Sequence, residues 1–444
     1  LITIDTLRAD HLGAYGNPRA VSPFLDRLSA RGTLHGNCLA TVPATTPSHA
    51  TILTGLSSFH HGSRFNAVPI RASIDPLASR LHRAGYGTAA FISAFPVYST
   101  VSDLDRGFSC YNQFLAPDRG PQLLYLSSLV RPFSRIGVLR PAERKANMTA
   151  AHAEAWLRQV SSPFFVWCHF YDPHLPYDPP QPFDRMFNPD GRPGPVLGIS
   201  EVQRIDRGEM TPETVDQAAA AAMYDGEIAF TDRMVERVVS TALDVRGDAE
   251  LFVVVTADHG ESLTEHGYYY SHSRLLYQPS LHVPLLMVRL PGDGPGRVVN
   301  RTCGLMDVAV TVLAECGLDW SGLDGQALPA TRDSGSPPPL IGESAEGVFT
   351  TAHKPSLDAL QEKRYCVVSD AWKYIRNPDG GEELYDLDSD PGELDDVAAG
   401  NHSVVTGLAA ELAAVEMGFD MDAVTPPTEE ELVRLRELGY VNAD

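Results

Sequence analysis

Short apolar runs recur along the chain, at residues 1–4, 87–93, 164–170 and 251–256, and none alternates strictly between apolar and polar positions. A run of that length without alternation reads as a strand buried on both faces, the habit of a parallel sheet covered by helices. Segments with helical spacing lie between them. Residues 22–30, 75–84 and 143–160 predict helices, and Thr211 with Pro212 restarts a long one whose Ile228, Val235 and Val239 mark an apolar face. The alternation predicts a doubly wound α/β fold, a mixed but mostly parallel sheet with helices on both faces.

Punctuation divides the rest. Residues 178–212, rich in Pro, Gly and Asp, predict a surface excursion over the mouth of a site, and residues 329–340, with T-R-D-S-G-S-P-P-P, read as a linker. Beyond it, residues 365–369 and 372–375 predict paired strands, followed by two closing helices. The organisation expected is a catalytic α/β domain over 1–330 and a C-terminal α+β subdomain over 341–444, with a small antiparallel sheet and terminal helices. There is no internal repeat.

Composition narrows the class. At 444 residues and 43% hydrophobic, the chain can bury a large core. A net charge of −22 with no basic stripe excludes nucleic acid as a partner, because phosphate backbones are held by clustered Lys and Arg. An anionic substrate would have to be drawn by a local positive centre instead of the global field. Six Cys without metal-ligand or C-x-x-C spacing read as reduced core thiols and leave the compartment open. No apolar run approaches membrane-span length, and neither a signal peptide nor an anchor is visible. Since Leu1 falls inside a predicted strand, upstream residues are expected, and localisation and oligomeric state stay open.

The chemistry concentrates in residues 41–55, T-V-P-A-T-T-P-S-H-A-T-I-L-T-G. Thr46 suits a helix cap, Pro47 the first helical position and Gly55 the end. Thr45 then sits at the positive end of a helix, where free N–H groups favour an oxyanion and a developing alkoxide. Asp5 and the pair Asp258 and His259 end two of the apolar runs, so an open α/β sheet would gather them at strand carboxyl ends. Two carboxylates, an imidazole and the Thr45 oxygen make a divalent-metal donor set, suited to Mn or Zn, or to Ca or Mg with further oxygen ligands. The bland alternative for each is a loop or helix cap.

Several ordered motifs carry a resemblance. I-T-I-D-T-L-R-A-D-H-L-G-A-Y-G, T-T-P-S-H-A-T-I-L-T-G, Y-D-G-E-I-A-F-T-D, T-A-D-H-G-E-S-L-T-E-H-G, L-H-V-P-L-L, E-L-Y-D-L-D-S-D-P-G-E and L-R-E-L-G-Y together resemble the sulfatase family of the alkaline phosphatase superfamily over almost the whole chain. The resemblance implies an alkaline-phosphatase-like sheet and an ester hydrolase acting on a small anionic substrate. Sulfatases carry C-x-P-x-R or S-x-P-x-R, whose first residue becomes formylglycine, whereas here those positions hold Thr45 and His49. Threonine cannot form that aldehyde, and a sulfated threonine would need a second displacement.

The resemblance also implies one ion, held by Asp5, Asp258, His259 and Thr45, because Asp225 lacks the histidine that two-metal relatives have four residues on. Asp10 suits a loop cap better than a ligand. His174, in F-Y-D-P-H-L-P-Y, resembles the family's H-x-P segment, and His272 falls roughly where sulfatases use a Lys. With His49 in place of the clamping Arg, these are the catalytic candidates beside Thr45. Asn66 and Arg8 are the substrate-binding candidates, Asn66 resembling a polar residue of phosphonate monoester hydrolases. The function expected is metal-dependent hydrolysis of phosphate mono- or diesters through phospho-Thr45. Alternatives are a sulfuric ester hydrolase without formylglycine, a head-group phosphotransferase and a non-catalytic binding protein.

Overall fold

A computed structural model describes residues 1–113, 143–161, 163–292, 294–328, 337–345 and 363–416, with Thr428 and Val433 as isolated positions. Its main sheet has nine strands: β1 (Ile2–Ile4), β2 (Thr33–Leu39), β3 (Gly87–Phe91), β4 (Cys110–Asn112), β5 (Phe164–Phe170), β6 (Leu251–Ala257), β7 (His282–Leu290), β8 (Arg297–Val299) and β9 (Cys303–Gly304). They lie in the order β4-β3-β5-β1-β6-β7-β2-β8, with β9 on β2. The four apolar runs of the sequence are the adjacent, parallel strands β3, β5, β1 and β6. Only β7 runs against its neighbours β6 and β2, which makes the sheet mixed but mostly parallel, as expected.

Burial follows from position in the sheet. Val253, Val254 and Val255 of β6 and Trp167 and Cys168 of β5 are all buried, and each large apolar side chain so covered contributes roughly 1.5–3 kcal/mol. Helix Gln217–Val245 lies over this sheet with Val235, Val238 and Val239 in the core. It starts later than the sequence suggests. Pro212–Thr214 forms a separate turn, and the Asp216 side chain caps the long helix by accepting from the Ala219 N–H at 3.0 Å. The predicted helix over 143–160 is shorter too, Ala146–Leu157, with Asp172 Oδ2 receiving the Ala146 N–H at 2.7 Å. In both cases a carboxylate marks the start that propensity alone does not define.

Strand β2 has no clear apolar run. Its sequence T-L-H-G-N-C-L carries polar residues and a register shift between His35 and Cys38, so it becomes a strand through pairing with β7 and β8. The 178–212 excursion contains helix Ile199–Asp206, and the Tyr177 N–H donates to the Leu197 carbonyl across its first part at 3.1 Å.

A second, antiparallel sheet is formed by β10 (Leu340–Glu343), β11 (Tyr365–Ser369), β12 (Trp372–Arg376) and β13 (Glu382–Asp386), which includes the predicted pair. Helix His402–Glu416 covers it through Val405, Leu408 and Leu412. Residues 329–336 of the expected linker, the second closing helix and the L-R-E-L-G-Y tail lie outside the described residues. β10 adjoins the segment that leads to residue 45: the Glu343 N–H donates to the Thr41 carbonyl at 2.9 Å. No described helix is long and apolar enough to cross a membrane.

Candidate active site

Asp5 follows β1 directly, and Asp258 with His259 follows β6 directly. Because β1 and β6 are parallel neighbours, Ile4 pairing with Ala257, the three side chains emerge together at the carboxyl edge of the sheet. Their ligand atoms all lie within 4.8 Å of one another and all three residues are fully buried. Both oxygens of Asp5, Oδ2 of Asp258 and Nε2 of His259 have no hydrogen-bond partner. The His259 tautomer follows from its neighbour. Nδ1 lies 2.9 Å from the Gly260 carbonyl, which can only accept, so Nδ1 carries the hydrogen and Nε2 presents a lone pair to the carboxylates.

Electrostatics say what is lacking. Burial, then the charges of Asp258, Glu261 and Glu143, push the Asp5 carboxyl well above its ordinary range. Burial raises Asp258 to about 6 and lowers His259 to about 4. Buried like charges with orphaned lone pairs are relieved by protonation or by a counter-ion, and this donor set fits a divalent cation. Backbone geometry is strained at the same point. Thr6, β-branched, holds φ at 54°, with its N–H 3.3 Å from Asp258 Oδ1 and its carbonyl receiving the Tyr224 hydroxyl at 2.6 Å.

Helix Thr45–Thr54 begins two residues earlier than Thr46 capping implies, with Ala44 in the capping position. The Thr46 hydroxyl is engaged elsewhere, donating to the Pro96 carbonyl at 2.6 Å and accepting the Ala67 N–H at 3.0 Å. Asn66 takes over, its Oδ1 receiving the Thr46 N–H at 2.8 Å. A side chain from a distant loop thus does what the local sequence assigned to Thr46. The Thr45 hydroxyl is fully buried and without a partner. One turn on, the helix is tied to the cluster: Ser48 Oγ donates to the Asp258 carbonyl at 2.5 Å, and His49 Nδ1 lies 3.5 Å from Asp258 Oδ2.

The remaining candidates separate. The His272 ring lies tilted 4.3 Å from that of His259, and His174 lies edge-on 5.1 Å from His272, both buried, so these imidazoles extend the cluster. Burial, then His272, lowers His174 to about 3, and burial with His259 lowers His272 well below its ordinary range. His49 has both ring nitrogens engaged, Nδ1 donating to the Thr45 carbonyl at 2.7 Å and Nε2 at 3.0 Å from Thr3 Oγ1. Arg8 spreads its guanidinium over Asp10 at 2.7 Å, Glu265 at 2.7 Å and the Glu261 carbonyl at 3.2 Å. Asp10 is thus an ion-pair partner, and Asp225 is committed to His11 at 2.7 Å and Arg19 at 2.6 Å.

Two buried groups beside the cluster escaped sequence reasoning. Glu261 stands 3.4 Å from His272 Nδ1 and accepts the Tyr177 hydroxyl; its only signal was its place in D-H-G-E. His169, 3.7 Å from Asp5, sits in the apolar run F-V-W-C-H-F, where a lone histidine reads as core.

Residues 1–318 match the sulfatase family, and residues 264–417 match the C-terminal region of N-sulphoglucosamine sulphohydrolase. The chain belongs to the sulfatase family. It is a hydrolase acting on ester bonds, with the alkaline-phosphatase-like fold of that family. Among sulfatase relatives, an arylsulfatase of Clostridium perfringens is 25% identical over 89% of this chain and 88% of its own, and human arylsulfatase K is 24% identical over 88% and 77%. Phosphonate monoester hydrolase of Agrobacterium radiobacter shares the fold, with a TM-score of 0.69 over 97% of each chain at 23% identity.

Proposed function

We propose that this sulfatase-family hydrolase acts on phosphate mono- or diesters with divalent-metal help, through a covalent phospho-Thr45 intermediate. One observation carries the reading: where the family's convertible Cys or Ser stands, there is a threonine whose buried, unpartnered hydroxyl opens a helix tied to Asp258. Asp5, Asp258, His259 and the Thr45 oxygen would hold the ion. When bound, it lowers the pKa of the Thr45 hydroxyl and offsets the charge on the ester oxygens.

The protein's own groups do the rest. Thr45 Oγ forms a bond to phosphorus as the bond to the leaving oxygen breaks, and the N-terminal end of helix Thr45–Thr54 favours the charge on the transferring group. His174 or His272, held neutral by burial, takes up the proton that Thr45 releases and passes it to the departing oxygen. Water then attacks phosphorus in line, the P–O bond to Thr45 breaks and the threonine hydroxyl is restored. His49 holds the Thr45 carbonyl from beneath, Asn66 fixes the helix start, and Arg8 anchors the loop that carries Glu261.

A second reading keeps sulfate as substrate. It is favoured by the arylsulfatase relatives and would need displacement on sulfur without formylglycine.

One experiment separates them. Metal-stripped protein is reloaded with Mn, Zn, Ca or Mg and assayed on nitrophenyl phosphate, its diester, a phosphonate ester and the sulfate, with acid-quenched samples examined by mass spectrometry. The expected result is metal-dependent phosphoester turnover and a phosphoryl adduct on Thr45. Faster turnover of the sulfate overturns the phosphorus reading.

A further inference from the structure

Thr6 follows Asp5 at the carboxyl end of β1 and is fully buried. Its backbone is held from both sides. The N–H donates to Asp258 Oδ1 at 3.3 Å, and the carbonyl accepts the Tyr224 hydroxyl at 2.6 Å, an oxygen that in turn receives the Arg8 N–H at 3.1 Å. Between these anchors φ stands at 54°, a left-handed value that a β-branched residue avoids and glycine adopts freely.

The side chain is left without a role inside the protein. Thr6 Oγ1 is buried and has no hydrogen-bond partner, although a hydroxyl can donate one hydrogen and accept others. Covalent geometry keeps Oγ1 close to its own N–H, hence close to the Asp258 carboxylate. Asp258 Oδ1 is taken by the N–H groups of Thr6 and His259, at 3.3 and 2.9 Å, so the open groups of this corner are Asp258 Oδ2, both Asp5 oxygens and His259 Nε2. Thr6 Oγ1 is one more orphan beside them.

We propose that Thr6 is a further ligand of the cation, its hydroxyl oxygen joining Asp5, Asp258, His259 and Thr45. The inference rests on the metal-dependent reading above. Hard divalent cations take oxygens beyond carboxylates, and a hydroxyl adds one without adding negative charge to a corner that already buries two carboxylates. Its hydrogen then serves one of the orphaned carboxylate oxygens. The same role accounts for the strained backbone, because residues in sparsely populated conformations persist at ligand sites where the surrounding structure over-determines them. Glycine would fit the turn more easily and lose the oxygen.

Calorimetric titration of the metal-stripped full chain with Mn²⁺ tests it, on wild type, Thr6→Val and Thr6→Ser. Valine keeps the branched shape and removes the oxygen; serine keeps the oxygen and removes the methyl. Loss of an outer partner of a ligand weakens metal affinity about 10–100-fold, and loss of a direct ligand should do no less. The expected result is therefore a loss of about tenfold or more in Mn²⁺ affinity for Thr6→Val, with Thr6→Ser within a few-fold of wild type. Metal-free Thr6→Val should melt no lower than wild type, since it removes a buried hydroxyl that has no partner. A markedly lower melting temperature would mean that the hydroxyl is paired within the protein, and overturns the proposal. Affinity of Thr6→Val within twofold of wild type overturns it as well, and so does an equal loss in both variants, because serine retains the hydroxyl. Should Thr6→Val fail to fold, Thr6→Ala takes its place in the comparison. Wild type that binds no Mn²⁺ overturns the metal reading and this inference with it, whereas equal binding by wild type and Thr6→Val overturns only this one.

Discussion

Two buried polar clusters of this protein have opposite electrostatics. At the joint between the sheets, Glu343 is enclosed by Arg64 at 2.8 Å, Lys363 at 3.0 Å and the Ser58 hydroxyl at 2.6 Å, and Lys363 also donates to the Ser344 carbonyl at 2.7 Å. Burial works to raise the Glu343 carboxyl, but Arg64 and Lys363 hold it at about 2. At the carboxyl edge of the main sheet, Asp5 and Asp258 are equally buried, share their corner with His259, and are pushed up by burial. A structural cluster completes its own pairing; a site leaves its groups open for what it binds.

Breaking each cluster should therefore produce different losses. The largest effect is expected at the nucleophile. Thr45→Ala should lower phosphoester turnover by roughly a thousandfold or more, as nucleophile removal does elsewhere, while the melting temperature moves little. Turnover within tenfold of wild type would remove Thr45 from the chemistry.

At the joint, Glu343→Gln leaves the buried Arg64 guanidinium without its carboxylate, beside a Lys363 that burial already lowers to about 7, and should destabilise by about 3–5 kcal/mol in urea unfolding, with turnover per folded molecule unchanged within a few-fold. The same carboxyl has a pH signature. Its folded pKa of about 2 lies below the ordinary 4.5, so its stabilisation is complete above about pH 4.5 and fades as pH falls toward 2. Glu343→Gln should flatten that part of the acid unfolding curve.

At the site, Mn²⁺ at about 100 times its Kd should stabilise wild type by about 2.7 kcal/mol. Asp258→Asn should abolish that gain while leaving the metal-free protein at least as stable, since it removes one of two unpaired buried carboxylates. A metal-free Asp258→Asn markedly less stable than wild type would show that the site pairs itself after all.

The smallest effect is expected for Asn66→Ala, which removes the cap from the nucleophile helix. A loss of about 1 kcal/mol is expected, with a drop in turnover exceeding it if the helix start also orients Thr45. Equal thermal curves would assign the cap to another group.

What the sequence by itself determined was whatever local pattern encodes. Four apolar runs announced β3, β5, β1 and β6, and the acidic residues that end two of those runs marked where a parallel sheet would gather ligands. The Thr-Thr-Pro-Ser-His segment announced a helix start and, by its departure from the family pattern, carries the proposal that Thr45 is the nucleophile. Tertiary structure decided the rest, because it depends on partners distant in the chain. Asn66 rather than Thr46 caps helix Thr45–Thr54 only because a loop brings its amide there. His49 and Arg8, both expected at the ester, have their hydrogen-bonding groups engaged by Thr45, Thr3, Asp10 and Glu265. β2 became a strand through the neighbours it pairs with. His169 looked like core because nothing local reveals that the register of β5 on β1 carries its ring to Asp5. Periodicity reports which face of an element is apolar; which polar atom meets which across the sheet is set by register, and register is a property of the folded chain.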